Sequence, residues 1–233
     1  MNTPYISIVI PCYSMGGRGG ELLDHSFNVL FKQTFKDFEV VITDHSTCTQ
    51  NEVEQCYESW KDRLNIQYYR NAIGIGIAPV NINMALKNCN GKLIKILCQD
   101  DFLYDEHSLQ AIVDAFTADV SWLVTSYIHT SDKVNFINKH VPTVANDIDV
   151  HNTIGTLSCM AIRNEDLLFY DENLKWAYDC EYYYRLIKKL GNPKILDVIT
   201  MVNYLWSGST TNTIVNSELT QMENAYIINK RGK

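Results

Sequence analysis

Asp100 and Asp101 are the residues of this 233-residue chain whose types and spacing point most directly to chemistry. They follow Leu93, Ile94, Ile96 and Leu97, an almost continuous apolar run of the kind found in a strand buried on both faces of a parallel sheet. In open α/β sheets the ligand crevice lies outside the carboxyl ends of such strands. Two adjacent carboxylates repel each other there, so a cation or strong donors must offset the repulsion. Hard oxygen ligands completed by water and phosphate suit Mg²⁺ or Mn²⁺. The same dipeptide could equally cap the helix that follows it or sit solvated in a loop. Asp44 ends another strand in the same manner. Asp179 opens a late helix, where an acid also favours the helix dipole, and Glu181 and Arg185 stand at the spacing of an ordinary i,i+4 ion pair.

The elements that must position these acids alternate in type. Residues 5–10 (YISIVI) read as a strand ended by Pro11, which cannot donate to a sheet ladder. A glycine-rich loop at 15–20 leads to helical spacing over 22–31, a second strand at 38–43 and a helix at 50–60. A third strand is predicted at 66–69, a glycine-containing loop at 72–79, a short helix at 81–89, and then the strand that carries the acid pair. A helix at 105–116 and a strand at 122–126 continue the alternation. Repeated strand–helix units predict an α/β fold with a Rossmann-like, mostly parallel central sheet flanked by helices. In such a sheet Asp44 and Asp100 share one edge. From 127 to 152 the pattern loosens around Pro142. A strand at 157–162, a helix at 178–190, a strand at 195–202 and a terminal helix at 217–229 make up a smaller, mixed C-terminal portion.

Composition narrows the function. Hydrophobic residues at 46% and charged residues at 20% describe a water-soluble globular chain of one domain, residues 1–233. A net charge of −7 without clustered Lys and Arg argues against nucleic acid as a partner. No apolar run approaches the roughly 18 residues needed to span a bilayer, and the N-terminus lacks a basic leader with a cleavage site, so a cytoplasmic chain without a transmembrane segment is expected. The 7 cysteines form no C-x-x-C pair, which points to free thiols in a reducing compartment. The dinucleotide fingerprint G-x-G-x-x-G and the P-loop G-x-x-x-x-G-K-[ST] are both absent.

Four segments then occur in a telling order: SIVIPCY at 7–13, QTFKDFEVVI with TDHST at 33–47, GKLIKILCQDD at 91–101, and YDCEYYYRL at 178–186. Together they resemble the ordered motifs of the family 2 glycosyltransferases with the GT-A fold. The resemblance implies that Pro11, Tyr13, Asp44 and Asp100 line a nucleotide pocket, with Asp44 accepting from the base imide. It further implies that Asp100 and Asp101 hold a divalent metal, Mn²⁺ or Mg²⁺, bridging the donor diphosphate, and that Asp179 is the catalytic base, a role that suits a carboxylate whose pKa is raised by burial or by a neighbouring acid such as Glu181. Residues 1–101 would form the nucleotide-sugar-binding half and 102–233 the acceptor-binding half. Trp176, Tyr178, Glu181 and Trp206 fall on the acceptor side, where aromatic rings suit sugar faces, although the same rings could be core. The chain departs from the family pattern at Thr43, His45, Cys98 and Tyr178, and NYLWSGST lacks the late histidine that sometimes completes the metal shell.

The function these features lead us to expect is metal-assisted, inverting transfer of a sugar from a nucleotide-sugar, a UDP-sugar above all, to an acceptor hydroxyl. The acceptor would be a surface or secreted glycan or a lipid-linked one, reached by peripheral association with a membrane. The alternative is an inactive GT-A fold that binds nucleotide-sugar or glycan without turnover.

Overall fold

A computed structural model describes residues 3–49 and 51–231. The start of the second predicted helix, Gln50, lies outside the described residues. The chain runs β1 (Ile6–Cys12), α1 (Gly19–Lys32), β2 (Phe38–Asp44), α2 (Glu52–Trp60), β3 (Ile66–Arg70), α3 (Ala78–Leu86), β4 (Leu93–Ile96) and β5 (Phe102–Leu103). It continues with α4 (Ser108–Ala115), β6 (Trp122–Thr130), β7 (Ile137–His140), β8 (Met160–Arg163), α5 (Tyr178–Leu190), β9 (Lys194–Tyr204), α6 (Thr210–Thr213) and α7 (Ser217–Arg231).

One sheet takes the order β3-β2-β1-β4-β8-β6-β9-β5, with β7 paired to β6. The first four strands are parallel, and Cys12 is level with Asp44 across β1 and β2. Their carboxyl ends therefore open on one edge, as the alternation of strand and helix requires. β8 is antiparallel to both neighbours, β6 and β9 are parallel, and β5 closes the far edge antiparallel to β9. This is the expected mixed α/β fold with a mostly parallel sheet.

Side chains alternate across the sheet. Ile6, Ile8 and Ile10 pack with Leu23, Phe27 and Leu30 of α1 and Trp60 of α2, whereas Val9, Ile94 and Ile96 pack with Ile82 of α3 and Tyr182, Tyr183 and Leu186 of α5. Each such side chain, fully removed from water, contributes roughly 1.5–3 kcal/mol. Burial on both faces explains why the parallel strands read as continuous apolar runs.

Several element boundaries differ from expectation: β1 passes through Pro11 to Cys12, and the helix expected at 81–89 runs Ala78–Leu86. The acid-bearing strand is only Leu93–Ile96; the Leu97 N–H still donates to Val9 O of β1, and a turn then carries the acids. The helix predicted at 105–116 starts at Ser108, since Asp105 accepts from the His107 N–H and the Ser108 hydroxyl and forms a turn before the helix. The strand predicted at 157–162 begins as a 3-10 turn, Leu157–Cys159, before β8. The loose stretch after 127 contains the rest of β6 and the short edge strand β7.

Gly91 allows β4 to lie against β1. Its N–H donates to Ser7 Oγ at 2.8 Å, and a Cβ there would sit 2.7 Å from the Ile6 carbonyl carbon and against Ser7 N, both of them backbone that cannot move aside. Gly91→Ala is expected to destabilise the fold by about 2–3 kcal/mol through overpacking. Gly17→Ala, whose Cβ would meet open space at φ +91, should cost about 1 kcal/mol from backbone strain alone. Urea unfolding midpoints at unchanged m-value measure the difference, and equal shifts would refute the close-packing account.

Candidate active site

The carboxyl edge of the parallel strands opens into a cavity of about 480 Å³. Pro11 to Met15 after β1, His45 to Thr47 after β2, Asn81 and Ile82 of α3, and Cys98 to Asp100 after β4 form its walls. Lys175 and Tyr178 at the head of α5 and Thr210, Thr213 and Ile214 around α6 complete them. Pro11, Tyr13 and Asp100, expected at a nucleotide, thus share one cavity with Tyr178. Asp44, Asp101, Trp176, Asp179, Glu181 and Trp206 stand outside its lining.

Asp44 departs from its expected place. Its carboxylate is fully buried and accepts from Ser46 N–H (2.8 Å) and Oγ–H (2.5 Å), Asn51 Nδ2 (2.9 Å), Tyr68 OH (2.7 Å) and Arg70 Nη1 (3.0 Å). Its acceptor sites are taken up in tying down the turn after β2, so the cavity receives His45, Ser46 and Thr47 instead of the acid. The His45 ring bonds to Ile73 O at 2.9 Å, and burial lowers its pKa from the ordinary value, which leaves the imidazole neutral at pH 7.

The acid pair is divided between two surroundings. Asp100 faces the cavity and accepts from the Trp206 indole N–H at 2.9 Å, while the Arg18 guanidinium lies 5.1 Å over the Trp206 ring. Trp206 is thereby tied to Asp100 through its indole N–H. Asp101 lies behind it, 1% exposed, and accepts from Asn203 Nδ2 (2.9 Å), Tyr204 N–H (3.2 Å) and Thr156 Oγ1 (3.2 Å). Burial raises both acids above the usual carboxylate range, and the charge of Asp100 raises Asp101 further. Such a pair has room for a positive charge. Among the described residues no group of three or more His, Cys, Asp and Glu could hold a metal ion. Of the two carboxylates Asp100 alone lines the cavity, an oxygen donor of the type that Mg²⁺ or Mn²⁺ takes together with phosphate and water.

Three polar residues that the sequence pattern did not single out organise this edge. Gln99, 1% exposed, accepts from Tyr13 N–H (2.9 Å) and donates to Gly19 O (2.9 Å), bracing the loop after β1 against the acid-bearing loop. Asn81 donates to Cys12 O and Thr43 O and so clamps the ends of β1 and β2. Lys95 is wholly buried within β4 and donates to Ser158 O and Met160 O, and burial pushes its pKa down to about 8. A polar residue inside an apolar run was the available signal for Lys95, and an asparagine on the inward face of a helix was the signal for Asn81.

Asp179 sits in the first turn of α5, next to Tyr178. It keeps some accessible surface but is densely surrounded by protein, and burial pushes its pKa up to about 6. Its carboxylate accepts from Asn152 Nδ2 (2.7 Å) and the Cys180 N–H (2.7 Å). Burial raises the Tyr178 and Tyr127 hydroxyls, and the charges of Asp179 and Asp100 add to the first and those of Asp101 and Asp179 to the second.

Glu181 and Trp176 part from their expected roles. Glu181 is buried and paired with Arg185 Nε (2.7 Å) and Lys230 Nζ (2.7 Å), so it fastens α7 to α5; burial, not Glu181, raises Asp179. Trp176 packs beside Leu174, Ala177 and Ile227, and its N–H donates to Glu223. Both face the α5–α7 seam.

The arrangement has known counterparts. A poly(ribitol-phosphate) beta-N-acetylglucosaminyltransferase, TarS, of Staphylococcus aureus is 23% identical over 188 residues, which cover 74% of this chain and 30% of that protein. An uncharacterised glycosyltransferase of Rickettsia conorii is 28% identical over 99 residues, covering 42% of this chain and 15% of its own length. The chain thus spans less than a third of either relative. Among solved structures, S. aureus TarS 1-349 in complex with UDP-GlcNAc aligns with a TM-score of 0.70 at 20% identity, covering 97% of this chain and 67% of that one. A mannosyltransferase from Pyrobaculum calidifontis in complex with GDP-Man and Mn²⁺ aligns at 0.61 and 16% identity, over 88% of this chain and 58% of that one. At these identities the structural likeness establishes the fold as GT-A. The model of Glycosyl transferase family 2 matches residues 7–194, more than three-quarters of the described chain, and on that match the chain belongs to the family 2 glycosyltransferases.

Proposed function

We propose that the chain transfers a sugar from a UDP-sugar to an acceptor hydroxyl with inversion, by single displacement. One observation carries this reading: the cavity bounded by Pro11, Tyr13 and Asp100 ends at Tyr178, whose neighbour Asp179 is a carboxylate with its pKa moved towards neutrality. The nucleoside would rest against Pro11, Tyr13 and the His45–Thr47 turn. Asp44 contributes by holding that turn.

The diphosphate would then lie along the Cys98–Asp100 wall. Asp100 is the residue that would hold a divalent cation there, with Asp101 behind it as a further carboxylate. Bound at this point, the cation supplies neutralisation of the charge that develops on the departing nucleoside diphosphate. Asp179 takes the proton of the acceptor hydroxyl as its oxygen bonds to the anomeric carbon and the bond to the diphosphate breaks. A carboxylate with a pKa near 6 is a competent base at pH 7, ionised yet basic enough to accept a proton. A glycan or lipid-linked hydroxyl would approach from the α5 side. No helix among the described residues is long and apolar enough to cross a membrane.

Calorimetric titration of UDP, GDP, dTDP, CDP and ADP, each with and without Mn²⁺, tests the pocket. UDP binding that requires Mn²⁺ and is lost in Asp100→Ala is the expected result, and binding of no nucleotide under any condition would sink the proposal. Asp179→Asn should keep the UDP affinity of the wild type while lowering UDP-sugar turnover about 10²–10⁴-fold. Wild-type turnover should also fall about tenfold per pH unit below the Asp179 pKa of about 6. An Asp179→Asn variant at wild-type rate would remove Asp179 from the reaction.

The same shift makes a stability prediction. Because the folded-state pKa of Asp179 lies above the unfolded value of about 3.9, folding favours its protonated form. That stability is present below about pH 4 and lost as pH rises through about 6, to a total of about 2–3 kcal/mol. Thermal unfolding should show Asp179→Asn more stable than wild type at pH 8 and equal to it at pH 4. A pH-independent difference would contradict the burial account.

A further inference from the structure

Asn152 lies between β7 and β8, in a stretch whose sequence offers only scattered polar residues. Its Oδ1 accepts from the Gly155 N–H at 2.7 Å, and its Nδ2 donates to Gly155 O at 3.1 Å and to Asp179 Oδ2 at 2.7 Å. These bonds fix which way the amide faces. Turned over, it would set Oδ1 against the Asp179 carboxylate and Nδ2 against a backbone N–H, leaving repulsion at both ends. Closing the 152–155 turn requires only the Gly155 contacts. The bond to Asp179 is additional, and it reaches across the fold to the residue assigned as base.

The turn has anchors of its own. Gly155 adopts φ +106, where a Cβ would run into the Tyr127 hydroxyl, and Tyr183 OH donates to Gly155 O at 3.2 Å. Tyr183 on α5 thus bonds to Gly155 and the Tyr127 ring on β6 packs close against it, both independent of the side chain at 152.

The groups around Asp179 carry no compensating charge. Tyr127 of β6, Tyr170 ahead of α5, and Tyr178, Cys180 and Tyr183 on α5 itself all have acidities pushed up by burial, so at pH 7 each is neutral. Among the described residues Asp179 appears in no ion pair. Beyond its own helix, the Asn152 amide is the side chain that donates to the carboxylate.

We propose that Asn152 is the positioning residue for the base: its amide holds the Asp179 carboxylate ionised and fixed in orientation towards the acceptor hydroxyl. The inference rests on Asp179 acting as base, and its test separates the two claims. Asn152→Ala deletes the donor, and Asn152→Asp keeps an acceptor for the Gly155 N–H while setting a second carboxylate against Asp179. The Tyr127 and Tyr183 anchors should keep both variants folded, with UDP binding as the check.

The direct measurement is the titration of the Asp179 carboxyl ¹³C signal, assigned by its loss in Asp179→Asn, which needs no turnover. A wild-type midpoint near 6 should move up by about one pH unit in Asn152→Ala and further in Asn152→Asp. The acidic limb of the rate profile for UDP-GlcNAc hydrolysis with Mn²⁺ should move by the same amount, so that the Asn152→Ala defect of about tenfold at pH 6 shrinks towards pH 9. A midpoint that stays at its wild-type position in both variants would overturn the proposal, as would a rate lowered equally at every pH. If the midpoint moves but Asp179→Asn turns over normally, the base assignment fails and the positioning role falls with it.

Discussion

The constraint on which the rest of this structure depends is the removal of carboxylates from water at one edge of a parallel sheet. Four acids are gathered there, and the protein meets the desolvation of each to a different degree. Asp44 receives donors from five groups, Arg70 included. Asp101 receives three neutral donors, Asp100 an indole N–H, and Asp179 an amide with one backbone N–H. Donors to a charged acceptor favour its ionised form, so their number grades the acids from structural to reactive. The acid with the fullest shell serves the fold. Those with the thinnest shells face the cavity or flank it, where a ligand can provide what the protein does not.

The α5 acid is held in place from the other end of the chain. Glu223 of α7 accepts the N–H groups of Lys175, Trp176 and Ala177, the three residues that lead into α5. Lys230 bridges Asp171 and Glu181, and Arg231 pairs with the buried Asp149. Charge pairs of this kind are strongly directional once partly buried, and removal of one partner leaves the other stranded. Thus the segment that presents Tyr178 and Asp179 depends on a helix whose own pattern announces only a terminal helix at 217–229.

Much of the first half was legible because its signals are local. Continuous apolar runs give the strands, although β1 passes through Pro11 to Cys12, helical spacing gives α1 and α2, and their alternation dictates the parallel edge. The second half was less legible because its strands borrow their order from partners far apart: β8 inserts between β4 and β6, and β9 reaches across to β5. The site divided in the same way. Pro11, Tyr13 and Asp100 could be placed from motif position alone, whereas Gln99, Asn81 and Lys95 act through contacts that no spacing encodes. Asp44 and Glu181 show the converse, since a suggestive acid can be spent wholly on structure when enough donors surround it.

The departures from the family pattern follow the same logic. The Thr43 hydroxyl donates to Asn81 O at 2.9 Å, so the position serves the clamp between strand ends. The Cys98 N–H donates to Ser158 Oγ, and burial raises its thiol well above the physiological range, so it lines the cavity as a neutral group. His45 fills the turn after β2 and turns one ring nitrogen to Ile73 O. None of these substitutions adds a charge at pH 7. Replacing acids by neutral residues at 43 and 98 lowers the repulsion that Asp100 and Asp101 would otherwise feel, and a less repelled pair has less need of a cation before the nucleotide arrives. On the proposed reading, cation and diphosphate would bind as mutually dependent ligands, each supplying the charge that makes the other's place favourable.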